Sequence, residues 1–347
     1  MNERATDDRA VEERRPMNGR PAPICLIVDA DGRVSTLEGA NLDRISDLRR
    51  RPDTLVWLDV TDPHDDEIGK LEDEFKLHPL AIEDLRKRRQ RPKVDTYPGQ
   101  HVIVTYEVRA GQAGRRSFDL GEIHLFATAD SLLSVHWGSS PAIDDVRSRL
   151  TQRASGVGRS VGAILYGVLD AVVDGYFPLL DGMSDRIDRL EDRIVAGQQS
   201  RTTLRDVLTI KRELLDLRRV LAPQRDMANK LLRREVELLD DEAAPYYQDL
   251  YDHLVRVLDQ LDLYRDLVAS TLDANLSVTS NNLNAVMKRL TAFTVVIMLP
   301  TLVASIYGMN FHVIPGLDSP IGFWASLIGM LLLALAAGAY FRAKDWF

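Results

Sequence analysis

The sequence predicts an α/β cytoplasmic domain, followed by long stalk helices and two C-terminal transmembrane helices. Three observations support this fold class. Short stretches rich in β-branched and aromatic residues alternate with helical patterns over residues 24–140. Helical patterns alone follow over residues 141–290. Two long uncharged stretches then occupy residues 291–308 and 321–341, and each is long enough to span a bilayer.

The composition divides the chain into a charged part and an apolar part. Charged residues make up 28% of the 347 residues, yet almost none follow Arg289. The formal net charge of −8 argues against a nucleic-acid partner, because phosphate binding favours a basic face. The single cysteine, Cys25, excludes an intramolecular disulfide and a cysteine-rich metal site. Residues 1–23 lack the apolar region of a signal peptide and are expected to form a disordered charged tail.

Five strands and two helices are expected in the α/β domain. The strand patterns are ICLIV, TLVWLDV, HVIVTYEV, GEIHLFAT and LLSVHW. The helical patterns HDDEIGKLEDEFKL and HPLAIEDLRKRR lie between the second and third strands, and residues 61–63 provide a helix-start signal. The chain shows no glycine-rich phosphate loop, nucleophile–base arrangement or HExxH spacing. We therefore expect no organic cofactor and no enzymatic activity.

One long helix is predicted to leave the stalk region and to continue as the first transmembrane helix. Residues 245–308 form a helix-compatible run, about 95 Å long if unbroken. Lys288 and Arg289 precede the first span, Arg342 and Lys344 follow the second, and the loop at residues 309–320 has no basic residue. The positive-inside rule then places both termini in the cytoplasm, including the tail at residues 342–347. The alternative, a buried helical hairpin in a soluble protein, is disfavoured by two such runs with consistent flanks.

A polar stripe follows one face of the long helix. Alternating steps of four and three residues describe a heptad seam, which is apolar in an ordinary coiled coil. Here it consists mainly of hydroxyl, amide and thioether side chains: Asp273, Ser277, Ser280, Asn284, Met287, Thr291, Thr294, Met298, Thr301, Ser305 and Gly308. Such residues also pack ordinary transmembrane helices closely, so helix packing stays open as an alternative. The extension of the stripe to Asn284 and to Asp273, at the expected pore mouth, favours a pore.

Neutral oxygens along such a seam suit a hydrated divalent cation. Mg²⁺ gives up its water reluctantly, so a path for it should offer neutral oxygens and not a tight carboxylate cage. Met287, Met298 and Leu290 could form a hydrophobic constriction that closes by losing water. A membrane-anchored scaffold would instead predict an apolar seam.

These motifs resemble the CorA-type magnesium transporter family. The sequence YGMN ends a span that follows NNLNAVMKRLT, and the final helix ends in FRAKDWF. The soluble-part motifs HPLAIEDLRKRRQRPKV and DLYDHLVRVLDQLDLYRDLV are also similar to this family. The likeness covers the chain from Ile24 to its end.

The resemblance implies a funnel-shaped homopentamer with a pore formed by the first span of each subunit. It implies an outer selectivity filter and pore positions along the stripe, which are Gly308, Met309 and Asn310 for the filter and Asn284, Met287, Leu290, Met298 and Thr301 for the pore. It also implies a regulatory divalent site between neighbouring soluble domains, at Glu83, Asp84, Asp249 and His253. The expected function is Mg²⁺ influx across the plasma (inner) membrane, with Co²⁺ and Ni²⁺ as further candidate ions. Cytoplasmic Mg²⁺ would close the pore.

One departure from the family pattern leaves the transported ion open. The loop after the filter contains IPG at residues 314–316 where the family usually has an acidic residue near the proline, and His312 precedes it. This loop is closer to the zinc-transporting branch, so zinc transport is the alternative function. The NxxNxVM pattern at residues 281–287 argues against that branch.

Overall fold

The computed structural model describes residues 21–29, 31–111, 117–152, 160–197, 201–233, 243–310, 314–316 and 319–346. The tail expected at residues 1–23 therefore lies almost entirely outside the described residues. The chain divides into two compact units, one formed by Met1–Asp188 with Leu208–Val268 and the other by Arg189–Val207 with Ala269–Phe347.

The first unit is built on a mixed β-sheet. In the described part of the chain seven strands pair in the order β2-β1-β3-β7-β6-β5-β4. Strands β3 and β7 run parallel, and the other neighbouring strands run antiparallel. The strand bounds are β1 Ile24–Val28, β2 Val34–Glu38, β3 Leu55–Thr61, β4 Lys93–Tyr97, β5 Gln100–Ala110, β6 Phe118–Ala127 and β7 Ser131–His136.

All five predicted strands are confirmed, and two strands were not predicted. Strands β2 and β4 are five residues each and lie at the two edges of the sheet. Their sequences, VSTLE and KVDTY, are largely polar because an edge strand needs few apolar contacts. That composition gives a weak strand pattern, which is why sequence reasoning missed them.

Nine α-helices are present in the described ranges, with a 3₁₀ turn at Leu42–Arg44. Their bounds are α1 Ile45–Arg49, α2 Asp65–Phe75, α3 Pro79–Lys87, α4 Pro141–Thr151, α5 Val161–Asp174, α6 Tyr176–Val195, α7 Arg201–Leu232, α8 Ala244–Tyr307 and α9 Gly322–Ala343. The two helices predicted inside the α/β domain are confirmed as α2 and α3. The start of α2 differs from the predicted cap at residues 61–63, because His64 is the capping residue and its N–H donates to the Glu67 carboxylate at 2.8 Å.

Apolar side chains from α1, α2 and α3 pack on the sheet. Ile45, Leu71 and Ile82 belong to a buried cluster with Leu58 of β3 and Leu133 of β7. Helix α5 packs against β5, β6 and β7 with residues that lie outside this cluster. The packing of α3 and α5 on the sheet therefore fixes where the charged residues of these two helices lie.

Three helical segments are long and apolar enough to cross a membrane, judged by length and composition over the described residues. Two are α8 and α9, which agree with the predicted spans; the 64-residue α8 matches the predicted run within one residue at each end. The third is Val161–Val195, and half of the residues in its most apolar stretch are buried inside the structure. Because α5 packs on the sheet, its apolar residues belong to the core of the first unit.

Candidate ion path and metal cluster

The predicted polar stripe lies on an exposed face of α8 in the second unit. Thr294, Met298, Thr301 and Ser305 line one groove of about 460 Å³, together with Ile297 and Leu302. The structure thus brings four of the predicted pore residues to one surface. Ile297 and Leu302 are not members of the predicted stripe, but they line the same groove.

The hydroxyl groups on this face are oriented by the helix itself. Thr291, Thr294, Thr301 and Ser305 each donate to the backbone carbonyl four residues earlier, at 2.9, 2.8, 2.8 and 2.8 Å. Because the hydroxyl hydrogen is used in this bond, the oxygen presents its lone pairs away from the backbone. The face therefore offers acceptors to a cation and no hydroxyl donor to an anion.

The remaining predicted pore residues lie towards the start of the span. Asn284, Met287 and Thr291 line a second cavity of about 550 Å³, whose wall also includes Asp345 and Trp346. The C-terminal residues therefore lie beside the start of the span, as expected if both spans form a hairpin. Leu290 is exposed on α8. The backbone carbonyl of Asp273 accepts a hydrogen bond of 3.0 Å from the hydroxyl of Ser277, which lies one turn later.

The predicted filter triplet directly follows the end of α8. The N–H of Gly308 donates to the Ala304 carbonyl at 2.9 Å, and the N–H of Met309 donates to the Ile306 carbonyl at 3.3 Å. Asn310 is exposed, and among the described residues no hydrogen bond engages its side chain. Its amide oxygen is thus available to an ion or to the water around it. His312 lies outside the described residues.

Two glycines shape the chain between the triplet and α9. Gly316 has φ +87°, which a non-glycine residue adopts only with strain. A Cβ atom on Gly322 would lie 2.2 Å from the Gly316 carbonyl oxygen. Gly316, which makes the loop resemble the zinc-transporting branch, is therefore also required by the backbone conformation.

A carboxylate–histidine cluster lies in the first unit. Asp249 and His253 are one turn apart on α8, with the carboxylate 3.7 Å from Nε2. Asp170 of α5 joins them, so that one potential ligand atom from each residue lies within 4.8 Å of the others. Burial, together with the charge of Asp174, raises the pKa of Asp170 above its ordinary value. A cation at this place would stabilise the charged carboxylates.

Sequence reasoning found two of these three ligand candidates and missed Asp170. Asp170 lies in the otherwise apolar pattern of α5, where Asp174 is its charged neighbour one turn later. A charged residue within an otherwise apolar helix could have indicated a functional site, because burying a charge without a partner is costly. Its meeting with Asp249 depends on how α5 and α8 pack, which no local pattern predicts.

Glu83 and Asp84 do not belong to this cluster within the described chain. Glu83 pairs with Lys87, and the Asp84 carboxylate lies 2.6 Å from Nζ of Lys93. Glu83 and Asp84 are expected to approach Asp249 and His253 of a neighbouring subunit, and this stays a prediction.

A helix long and apolar enough to cross a membrane, an exposed row of hydroxyl oxygens along it, and a candidate metal cluster in the first unit are together typical of a membrane protein that handles metal cations. A sequence model described as CorA-like Mg2+ transporter protein matches residues 52–343. The chain belongs to this family, which confirms the resemblance drawn from the sequence motifs.

Individual proteins support the family assignment and the fold. The cobalt/magnesium transport protein CorA of Thermotoga maritima is 32% identical over 86% of this chain and 85% of its own length. The putative metal ion transporter YfjQ of Bacillus subtilis is 31% identical over 84% and 89%. The complete structure of the CorA magnesium transporter from Methanocaldococcus jannaschii superposes with a TM-score of 0.80 at 23% identity, covering 94% of this chain and 99% of that one. The predicted fold class is therefore confirmed.

Proposed function

We propose that the protein conducts Mg²⁺ into the cytoplasm along the polar face of α8. The observation that carries this proposal is the orientation of the hydroxyl groups of Thr291, Thr294, Thr301 and Ser305, whose lone pairs face away from the helix. Neutral oxygens can exchange with the outer water of a hydrated Mg²⁺ without trapping the ion. A matching relative in Thermotoga maritima carries cobalt and magnesium transport in its name, which agrees with this ion class.

The proposed conducting state is a homopentamer with five copies of α8 around one axis. A single α8 leaves Met298 and Leu290 more than half exposed, at 55% and 61%. In a ring of copies the polar groove would face the axis, and the aliphatic residues on the opposite side would face the second span or lipid. Gly308, Met309 and Asn310 would then form the outer filter, with five Asn310 side chains around a hydrated ion.

The proposed orientation places both termini in the cytoplasm of a cell whose plasma (inner) membrane holds the two spans. Lys288 and Arg289 at one end of α8, and Arg342 and Lys344 at the end of α9, would lie on the cytoplasmic side. The loop that contains Gly316 would lie outside.

The proposed regulation is closure by cytoplasmic Mg²⁺. Asp249, His253 and Asp170 would form the part of the regulatory site that lies within one chain, and Glu83 and Asp84 of a neighbouring subunit would complete it. Bound Mg²⁺ would neutralise carboxylates that otherwise repel one another. If the symmetric closed ring holds the ion more tightly than the open state does, Mg²⁺ shifts the population to the closed state.

Uptake into proteoliposomes tests the proposed function directly. Purified protein is reconstituted, a negative-inside potential is imposed, and entry of Mg²⁺, Co²⁺, Ni²⁺ and Zn²⁺ is followed in parallel. The proposal requires potential-driven Mg²⁺ entry. Entry of Zn²⁺ without Mg²⁺ would instead support zinc transport, and residues 314–316 would be the first to exchange. No entry of any of these ions would contradict a transport function.

A further inference from the structure

A basic cavity lies where the end of α3 meets β5 and β6. Its volume is about 440 Å³, and its wall includes Lys87, Arg88, Arg89 and Arg109 as well as the carboxylate of Glu122. The basic run at the end of α3 was part of the sequence motif, but the proposed transport function gives it no role. A cavity with this many cations calls for a separate explanation.

The backbone at this cavity is held in an unfavourable conformation. Arg88 and Arg89 have φ values of +54° and +55°, in the left-handed region that non-glycine residues rarely occupy. The two carboxylate oxygens of Glu122 accept the N–H groups of Arg89 at 2.6 Å and Gln90 at 2.9 Å. Strained residues persist where surrounding contacts hold them, and they are concentrated at binding sites. Glu122 is thus used to fix the backbone that presents the two arginines.

Arg109 also lines the cavity, and its guanidinium lies in the space that a side chain at Gly121 would occupy. A Cβ atom on Gly121 would lie 2.2 Å from the Arg109 guanidinium, so this guanidinium can cross β6 only because the residue is glycine. The guanidinium is further held by the Glu107 carboxylate at 2.7 Å from Nη2 and by the Trp137 carbonyl. The Arg109 guanidinium is therefore positioned before any ligand arrives.

Within the described part of the chain, two guanidinium groups at the cavity lack an acidic partner. Arg88 lies over the Trp137 ring, 4.3 Å from its centroid, and this contact leaves its N–H edge available. Among the residues that the structure describes, neither Arg88 nor Arg89 forms an ion pair with a carboxylate. Both side chains are exposed, so an anion can reach them from solvent.

We propose that this cavity binds a free anion with two or more phosphate groups, of the class of pyrophosphate and nucleoside di- or triphosphates. Guanidinium groups match the spacing of phosphate oxygens with pairs of parallel hydrogen bonds. Arg88 and Arg89, which form no ion pair among the described residues, suit two phosphate groups better than one carboxylate, whereas Lys87 is already paired with Glu83. The cavity volume lies within the range of small-molecule sites. This binding function goes beyond ion transport and does not depend on it.

Calorimetric titration of the full-length protein in detergent, without added divalent cations, tests the proposal with pyrophosphate as the probe. We expect saturable binding that Arg89→Gln weakens about tenfold, as the loss of a charge-assisted pair of hydrogen bonds predicts. Arg91→Gln is the matched control, because it removes a positive charge two residues away and outside the cavity wall. We expect it to change the affinity less than about twofold. If Arg89→Gln unfolds the protein, Arg88→Gln replaces it.

Three results would overturn the proposal. The first is no binding at millimolar pyrophosphate. The second is an equal loss of affinity in Arg89→Gln and Arg91→Gln, which would indicate general charge attraction. The third is tighter binding of a short-chain phosphatidic acid than of pyrophosphate, which would assign the cavity to a lipid headgroup. Transport assays have no bearing on these outcomes, so this proposal and the transport function can fail separately.

Discussion

The Asp249 carboxylate lies 3.7 Å from Nε2 of His253, one turn further along α8. Asp170 of α5 brings a third potential metal ligand to the same place. Since Mg²⁺ prefers carboxylate oxygens, this cluster should stabilise the protein when the ion is added. Asp249→Asn should weaken the apparent Mg²⁺ affinity about tenfold or more, measured as Tm against Mg²⁺ concentration.

Without added metal, Asp249→Asn should not destabilise the protein. Removing one charge beside Asp170 relieves repulsion, so the metal-free Tm of Asp249→Asn should not fall. Asp252→Asn is the matched control, because Asp252 is on the same helix, is exposed and bonds to Gln248. An identical Mg²⁺ response in the two variants would exclude this cluster as the Mg²⁺ site.

The oriented hydroxyls of α8 give a second prediction. Thr301→Val keeps the shape of the side chain and removes the oxygen that faces the groove. Losing about 1 kcal/mol of interaction with the passing ion should slow Mg²⁺ uptake roughly fivefold. Thr279→Val is the control, because Thr279 makes the same type of bond, to the Asn275 carbonyl at 2.8 Å, away from the predicted stripe. Equal uptake in the two variants would indicate that the stripe only packs helices.

The close approach of Gly316 and Gly322 gives a third prediction. Gly322→Ala places a methyl group where the Gly316 carbonyl oxygen lies, so the loop before α9 must move. We expect a loss of about 1–3 kcal/mol in the free energy of unfolding, with a lower Tm. Gly329→Ala is the control, because no neighbouring atom of the described residues, apart from the helix's own backbone, lies within 4 Å of the added Cβ. Equal Tm values would show that the loop adapts without strain.

His136 gives a prediction about pH dependence in the first unit. Burial of this side chain disfavours its charged form, but the Asp59 carboxylate at 3.3 Å and the Gly138 carbonyl at 2.7 Å outweigh burial and raise its pKa. The charged folded form is therefore favoured relative to the unfolded chain. Its stabilisation is fully present below a pH of about 6.5 and is lost as the pH rises through the raised pKa.

Thermal unfolding of the full-length protein checks this sign. Between pH 6 and pH 8 the wild type should lose more stability than His136→Asn, in which this titration is absent. Parallel pH profiles of the two proteins would contradict the stated role of Asp59.

Much of the architecture could be predicted from the sequence, for identifiable reasons. Strong local patterns of apolar residues are enough to predict the buried strand at Leu55–Thr61 and the apolar helix α9. The edge strands β2 and β4 were missed because polar edge strands give a weak pattern. The stripe on α8 was predicted because helical periodicity alone determines which residues share a face.

The features that escaped prediction depend on contacts between distant residues. Asp170 meets Asp249 only through the packing of α5 against α8. The cavity near Arg89 depends on Glu122, 33 residues away, and on the glycine at residue 121. The hydroxyl orientation could have been predicted, since serine and threonine in helices commonly bond to the carbonyl four residues earlier.

Mg²⁺ uptake by reconstituted Asn310→Ala tests the central claim most directly, because Asn310 follows the end of α8 and its exposed side chain has no hydrogen-bond partner among the described residues. The wild type, Asn310→Ala and the control Ser326→Ala are reconstituted at equal density, after gel filtration has shown the same assembly size. Ser326 is on α9 and bonds to the Phe323 carbonyl at 2.9 Å. We predict that Asn310→Ala abolishes potential-driven Mg²⁺ entry and that Ser326→Ala retains it. Undiminished entry through assembled Asn310→Ala would contradict the filter and the ion path that leads to it.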